Sequence, residues 1–177
     1  MLVTMSWKQF NELGDDELRR ACIRPVADQI RGKSMAVKSE AIARLNRSQK
    51  ALFMYSAWHD HAKHSPMELY CWSAHILSQP GYAAGVWKAL RFFGAETMHG
   101  ILEELRLLLD VHVVQQGRAL SEVTFKDLEL DDKLCLNIEN CYGRFMAEAP
   151  DCLQKLAQYI RAHADDFISF LPKEGES

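Results

Sequence analysis

His59-Asp60-His61-Ala62-Lys63-His64 runs directly toward Glu68, Cys71 and His75. Imidazole, thiolate and carboxylate are the groups that hold zinc or iron. Glu68, Cys71 and His75 stand at i, i+3 and i+7, which is one stripe of one helix. His61 and His64 end the preceding helix, and a tight connection there turns them back toward that stripe. His61, His64, Glu68, Cys71 and His75 therefore make a candidate polar cluster or metal site, with a transition metal such as zinc as its cofactor. A plainer reading is preferred, because the residues lack HExxH or HxxxH spacing. Cationic side chains interact favourably with a helix C-terminus, so His59, His61, Lys63 and His64 serve as a solvated helix end. Cys71 and His75 are then core residues, and no cofactor is favoured.

Other chemistry finds less support. Glu96-Thr97-Met98-His99 is an ExxH pair of the kind di-iron bundles use, but such sites need two pairs, and no second one occurs. GxSxG, P-loop and GxGxxG motifs are absent. Cys71 and His75, one helical turn apart, suit a thiolate–imidazolium pair, and the alternative is a buried inert thiol. No catalytic residue is assigned. The aromatics Trp58, Tyr70, Trp72, Tyr82, Trp87, Phe92 and Phe93 either line a pocket, with Trp58, Trp72 and Trp87 as its candidates, or fill a core. The core reading is preferred.

The chain around these residues has 177 positions, 48% of them hydrophobic, and a net charge of −3. That suits a single globular domain with a real core and excludes disorder and a disulfide scaffold. It also excludes a generally basic nucleic-acid binder. Cys22, Cys71, Cys135, Cys141 and Cys152 are odd in number and lack a CxxC spacing, which predicts reduced thiols in a cytoplasmic protein. The opening MLVTMSWKQF predicts no secretory signal, and no run reaches the ~18 apolar residues of a membrane span. Charge divides the chain into thirds. Residues 1–50 hold ten Lys/Arg against six Asp/Glu, residues 51–100 three of each, and residues 101–177 eight against fifteen. The middle third, poor in charge and rich in aromatics, is the expected core. The basic first third reads as a solvated helix surface rather than an anion-binding face.

Helical periodicity runs almost throughout. Ser6 caps a short helix ended by Gly14, and Asp15 or Asp16 opens the next, which Pro25 kinks or ends. A weaker helix covers residues 35–45 and a strong one residues 47–64. Ser65-Pro66-Met67-Glu68 is a capping box with proline at the first helical position, so a new helix begins at Pro66. Pro80-Gly81 ends that helix. The next one stops at Gly94, and a long amphipathic helix then runs to Gly117. Residues 118–130 follow no single period, which leaves room for a short strand. Two last helices, residues 131–147 and 151–171, are separated by Pro150. The expectation is one all-α, multi-helix domain of seven or eight helices, mostly antiparallel neighbours, with basic helices in 1–50, apolar ones in 51–117 and acidic ones in 118–177.

Leu45-Asn46-Arg47-Ser48-Gln49-Lys50, the aromatic-rich Phe53 to Trp58, and Trp87-Lys88-Ala89-Leu90-Arg91-Phe92-Phe93-Gly94-Ala95-Glu96 carry a resemblance. Over about a third of the chain these blocks resemble a bacterial all-helical family of unknown function that includes a DNA-mimic protein. The resemblance implies a helical fold and a bacterial, cytosolic setting, and it transfers no functional residue. Where the family has a Gly-Gly-aromatic segment, Ser65-Pro66-Met67-Glu68 stands here. The functional expectation is a non-enzymatic binding or regulatory domain acting through contacts with another protein, without membrane or direct nucleic-acid binding. Self-association is compatible with it. The alternatives are a metal-binding protein or metal-dependent enzyme built on the His/Glu/Cys cluster, and a DNA-mimic-like regulator.

Overall fold

The computed structural model describes residues 2–172. A short strand, β1 (Val3–Met5), leads into α1 (Trp7–Glu12), α2 (Asp15–Ile30), α3 (Met35–Ala43) and α4 (Arg47–Ala62). There follow α5 (Pro66–Leu77), α6 (Pro80–Phe92), α7 (Glu96–Gln116), a 3-10 turn at Leu120–Glu122, α8 (Lys126–Leu130) and α9 (Asp132–Ala162). A second 3-10 turn, Ala164–Asp166, precedes β2 (Ile168–Phe170). The fold is essentially all-α, with nine helices among the described residues, seven of them of seven residues or more. Among the described residues no helix is long and apolar enough to cross a membrane.

The chain groups into two compact units, one of residues 1–53 and 153–177, the other of residues 54–152. In the first, β1 and β2 pair in parallel, Val3 opposite Ile168 and Met5 opposite Phe170. Neither strand was expected from the helical periodicity, because three residues are too few to show alternation. Trp7 stacks on Phe170 at 3.7 Å between ring centroids. Ser6 forms a full capping box with Gln9 at the start of α1. At its other end, the Arg161 guanidinium donates to the carbonyls of Phe10 and Leu13, at 2.9 and 2.8 Å. Those carbonyls lack partners within the helix, so the arginine closes α1 in place of a glycine cap. Ser48 Oγ donates to Asp166 Oδ2 at 2.6 Å, and the side chains of Asn46 and Gln49 both donate to the Asp166 carbonyl.

Of three prolines read from the sequence, Pro150 departs from expectation. Pro25 lies inside α2, which continues to Ile30. Pro80 follows the end of α5, as expected, and also opens α6 at its first position. Pro150 lies within α9, so the two expected terminal helices are one helix of 31 residues. The apolar stripe explains that continuity. Leu134, Ile138, Cys141, Phe145, Ala149, Cys152, Leu156 and Ile160 are all buried, spaced by three or four residues straight across the proline. An interior proline costs about 3 kcal/mol, less than burying several large side chains on one line contributes. Residues 118–130 form no strand but a 3-10 turn and a five-residue helix.

The second unit holds the middle of the sequence. Leu69, Tyr70, Ala74, Val86, Leu90, Met98, Leu102, Leu105 and Leu109 are buried there. Trp58 is fully buried, donates its indole N–H to Ser73 Oγ at 3.1 Å, and meets Phe145 edge-to-face at 5.4 Å. Gly94 and Gly117 adopt left-handed backbone, φ 65° and 63°, and end α6 and α7 as expected.

Candidate functional site

The α4–α5 junction is built by its caps. Ser65 Oγ accepts from the Glu68 N–H at 3.1 Å, and Pro66 follows it at the first position of α5. The reciprocal bond from the Glu68 carboxylate is missing among the described residues, so half of the expected box forms. Tyr142 OH donates to the Lys63 carbonyl at 2.9 Å, which fixes the chain just beyond α4.

His61 stacks on Trp72 with ring centroids 3.6 Å apart. His75 meets the same indole edge-to-face at 5.2 Å, and its Nε2 lies 3.1 Å from Gln79 Nε2. The junction therefore gathers two histidines on one tryptophan. Around that tryptophan His64 and Glu68 are exposed and Cys71 is half-buried, and the charges of Glu68, His64 and His75 all bear on His61. No group of three or more His, Cys, Asp or Glu suited to a metal forms among the described residues. The plainer reading also changes in detail. His59 is buried, with Nδ1 3.4 Å from Asp60 Oδ1, so it is no part of a solvated helix end. His75 is exposed rather than in the core.

Partial burial lowers the pKa of His61, whose side chain is otherwise exposed, and the negative charge of Glu68 opposes that shift. A histidine with a lowered folded pKa destabilises the fold as pH drops below about 6.5, where only the unfolded chain takes up the proton. Proton NMR of the native protein is therefore expected to show His61 titrating below that value. A midpoint at or above it contradicts that lowering.

Burial raises the Cys71 thiol, and the charges of Glu68 and Asp127 add to that. Burial likewise pushes the Cys22 thiol up to about 12. A low-pKa nucleophile at Cys71 is therefore not what this environment makes. Cys71 is expected to react with a chromogenic thiol reagent more slowly in the native than in the denatured protein. Faster native labelling contradicts that. The ExxH pair is also separated in role, since His99 Nε2 accepts from Arg91 Nε at 3.2 Å. Trp58 is core, while Trp72 and Trp87 are half-buried.

A buried polar group centred on Asp127 escaped the sequence reading. The carboxylate accepts from Arg118 Nη1 at 2.6 Å, from the Thr124 N–H at 2.9 Å and from Tyr70 OH at 3.5 Å. Asp127 is 6% exposed, and Tyr70 is fully buried. Burial alone raises this carboxyl; its hydrogen bonds to Arg118 and Thr124 outweigh burial and hold it below the usual value. His112 is also buried, its ring edge-to-face with Tyr70. Arg118 and Asp127 lay in the stretch without a period, and Tyr70 is 57 residues from its partner. No spacing rule joins them.

The surface of α7 carries two further features. Leu107, Val111 and Val114 are exposed, at 54%, 56% and 76%. Their spacing puts them on one outward line, and Gly100 continues it toward the helix start. At that end a recess of about 560 Å³ opens, lined by Thr97, Gly100, Ile101, Glu104, Arg144, Ala147 and Glu148. Arg144 Nη2 donates to Glu104 Oε2 at 2.6 Å across it.

The arrangement defines an all-helical protein with an outward apolar line beside a charged recess. No family model matches the chain, and searches of curated proteins and of solved structures return no match.

Proposed function

We propose that the chain is a non-enzymatic binding domain that docks a helix of another protein on the outward line of α7. The observation that supports this is the run of Leu107, Val111 and Val114, three large apolar side chains left exposed on one face. Scattered exposed leucines are ordinary, but apolar residues at i, i+4 and i+7 on one line form the pattern that a groove-seeking helix matches. Fully burying such a side chain is worth on the order of 1.5 to 3 kcal/mol, and covering these partly exposed ones contributes less than that.

A photo-cross-linking residue placed at Val111 tests it. The captured protein is then purified and titrated against wild type and against Val111→Asp/Val114→Asp. Affinity for wild type and a loss of about tenfold or more in the variant, with unchanged circular dichroism, support the reading. Equal affinity for both overturns it.

A further inference from the structure

We infer that the helix docked on α7 is basic, and that one of its arginine or lysine side chains enters the recess at Glu148. This rests on the docking reading above and adds the chemistry of the partner. α7 carries four carboxylates, Glu96, Glu103, Glu104 and Asp110, against one arginine. Glu103 and Asp110 flank the apolar line on one side and Glu104 on the other, by their positions around the helix. The cations near them are already engaged. Arg106 bridges Glu103 and Asp110, at 3.1 and 2.8 Å, so two carboxylates share one positive charge. Arg144 turns to Glu104 and not to Glu148, four residues further along its own helix.

Glu148 is half-buried in the recess wall and has neither hydrogen bond nor ion pair among the described residues. Thr97, Gly100, Ile101 and Ala147 supply the remaining wall, small or apolar, which suits the methylene stem of a long cationic side chain. A β-carbon built on Gly100 meets nothing within 4 Å, so the floor there is open. Apolar line and recess lie on one side of one helix. An amphipathic helix lying along the line thus brings a side chain near its end over Glu148. A second copy of this chain is the poorer occupant, because two α7 faces meet carboxylate against carboxylate.

Two synthetic helical peptides test this. They share one leucine stripe, flanked by arginines in one and by glutamates in the other, and calorimetry reads their affinity for the full chain. The expected result is a preference of about tenfold or more for the arginine peptide, weakened by salt. Glu148→Gln is expected to lower that affinity about threefold to fivefold. Glu129→Gln, an equal charge change on α8, is expected to leave it unchanged. Equal affinity for both peptides, or equal effects of Glu148→Gln and Glu129→Gln, overturns the inference and leaves the docking reading standing. If neither peptide binds, both fall. A dimer in sedimentation that Val111→Asp abolishes also overturns it, since the face is then covered by its own copy.

Discussion

Trp58→Ala is expected to destabilise the protein by about 3–5 kcal/mol, near 10 °C in Tm, in urea and thermal unfolding. The side chain is fully buried, so its removal costs its transfer energy together with a cavity beside Phe145. A second variant separates packing from hydrogen bonding. Trp58→Phe keeps an aromatic ring against Phe145 but leaves Ser73 Oγ without its donor, in a position that is itself fully buried. That orphaned hydroxyl costs about 1–3 kcal/mol. Adding Ser73→Ala to Trp58→Phe removes the unmatched group, so the double variant should be more stable than the sum of the two single losses. Strict additivity in that cycle contradicts a direct Trp58–Ser73 interaction.

Asp127→Asn is expected to cost about 2 kcal/mol and to free residues 118–130 from the rest of their unit. The amide retains one acceptor oxygen, where the carboxylate now meets Arg118, Thr124 and Tyr70. Its own N–H groups then face the Arg118 donors. Hydrogen exchange of the Thr124 amide is the direct measurement, and protection retained in the variant rules out that Asp127 holds residues 118–130 in place. The acid response has a defined sign. The folded carboxyl lies below its ordinary value, so its contribution is complete above about pH 4 and is lost as pH falls through the folded value. Asp127→Asn should therefore flatten the acid side of the stability curve and leave its neutral side parallel to wild type.

These two positions also mark how far residue patterns reach. Helix starts were readable wherever a side chain caps its own backbone, because the cap and its partner are three residues apart. Ser6 with Gln9 and Ser65 with Glu68 are such cases. Gly94 and Gly117 were readable for a similar reason, since a left-handed ending selects its residue locally. Pro150 misled because its local cost is visible and the buried stripe that outweighs it is spread over the whole of α9. Ser65-Pro66 does turn the chain so that His61 reaches Trp72. Helical spacing placed Glu68 and His75 on one stripe but not that stripe's burial, and both are exposed. The Asp127 group was invisible because its members come from three separate segments, joined only in the folded chain.

The parallel pairing of β1 with β2 has a consequence for synthesis on the ribosome. Residues 54–152 are continuous, so that unit has all its parts once they have emerged. The other unit does not: β1 waits for Ile168–Phe170, the end of α1 for Arg161, and Ser48 for Asp166. Within that unit, residues synthesised early are thus among the last to find their places. Until then Trp7 and Phe10 stand without Phe170, and an interrupted translation product exposes both to whatever holds nascent chains.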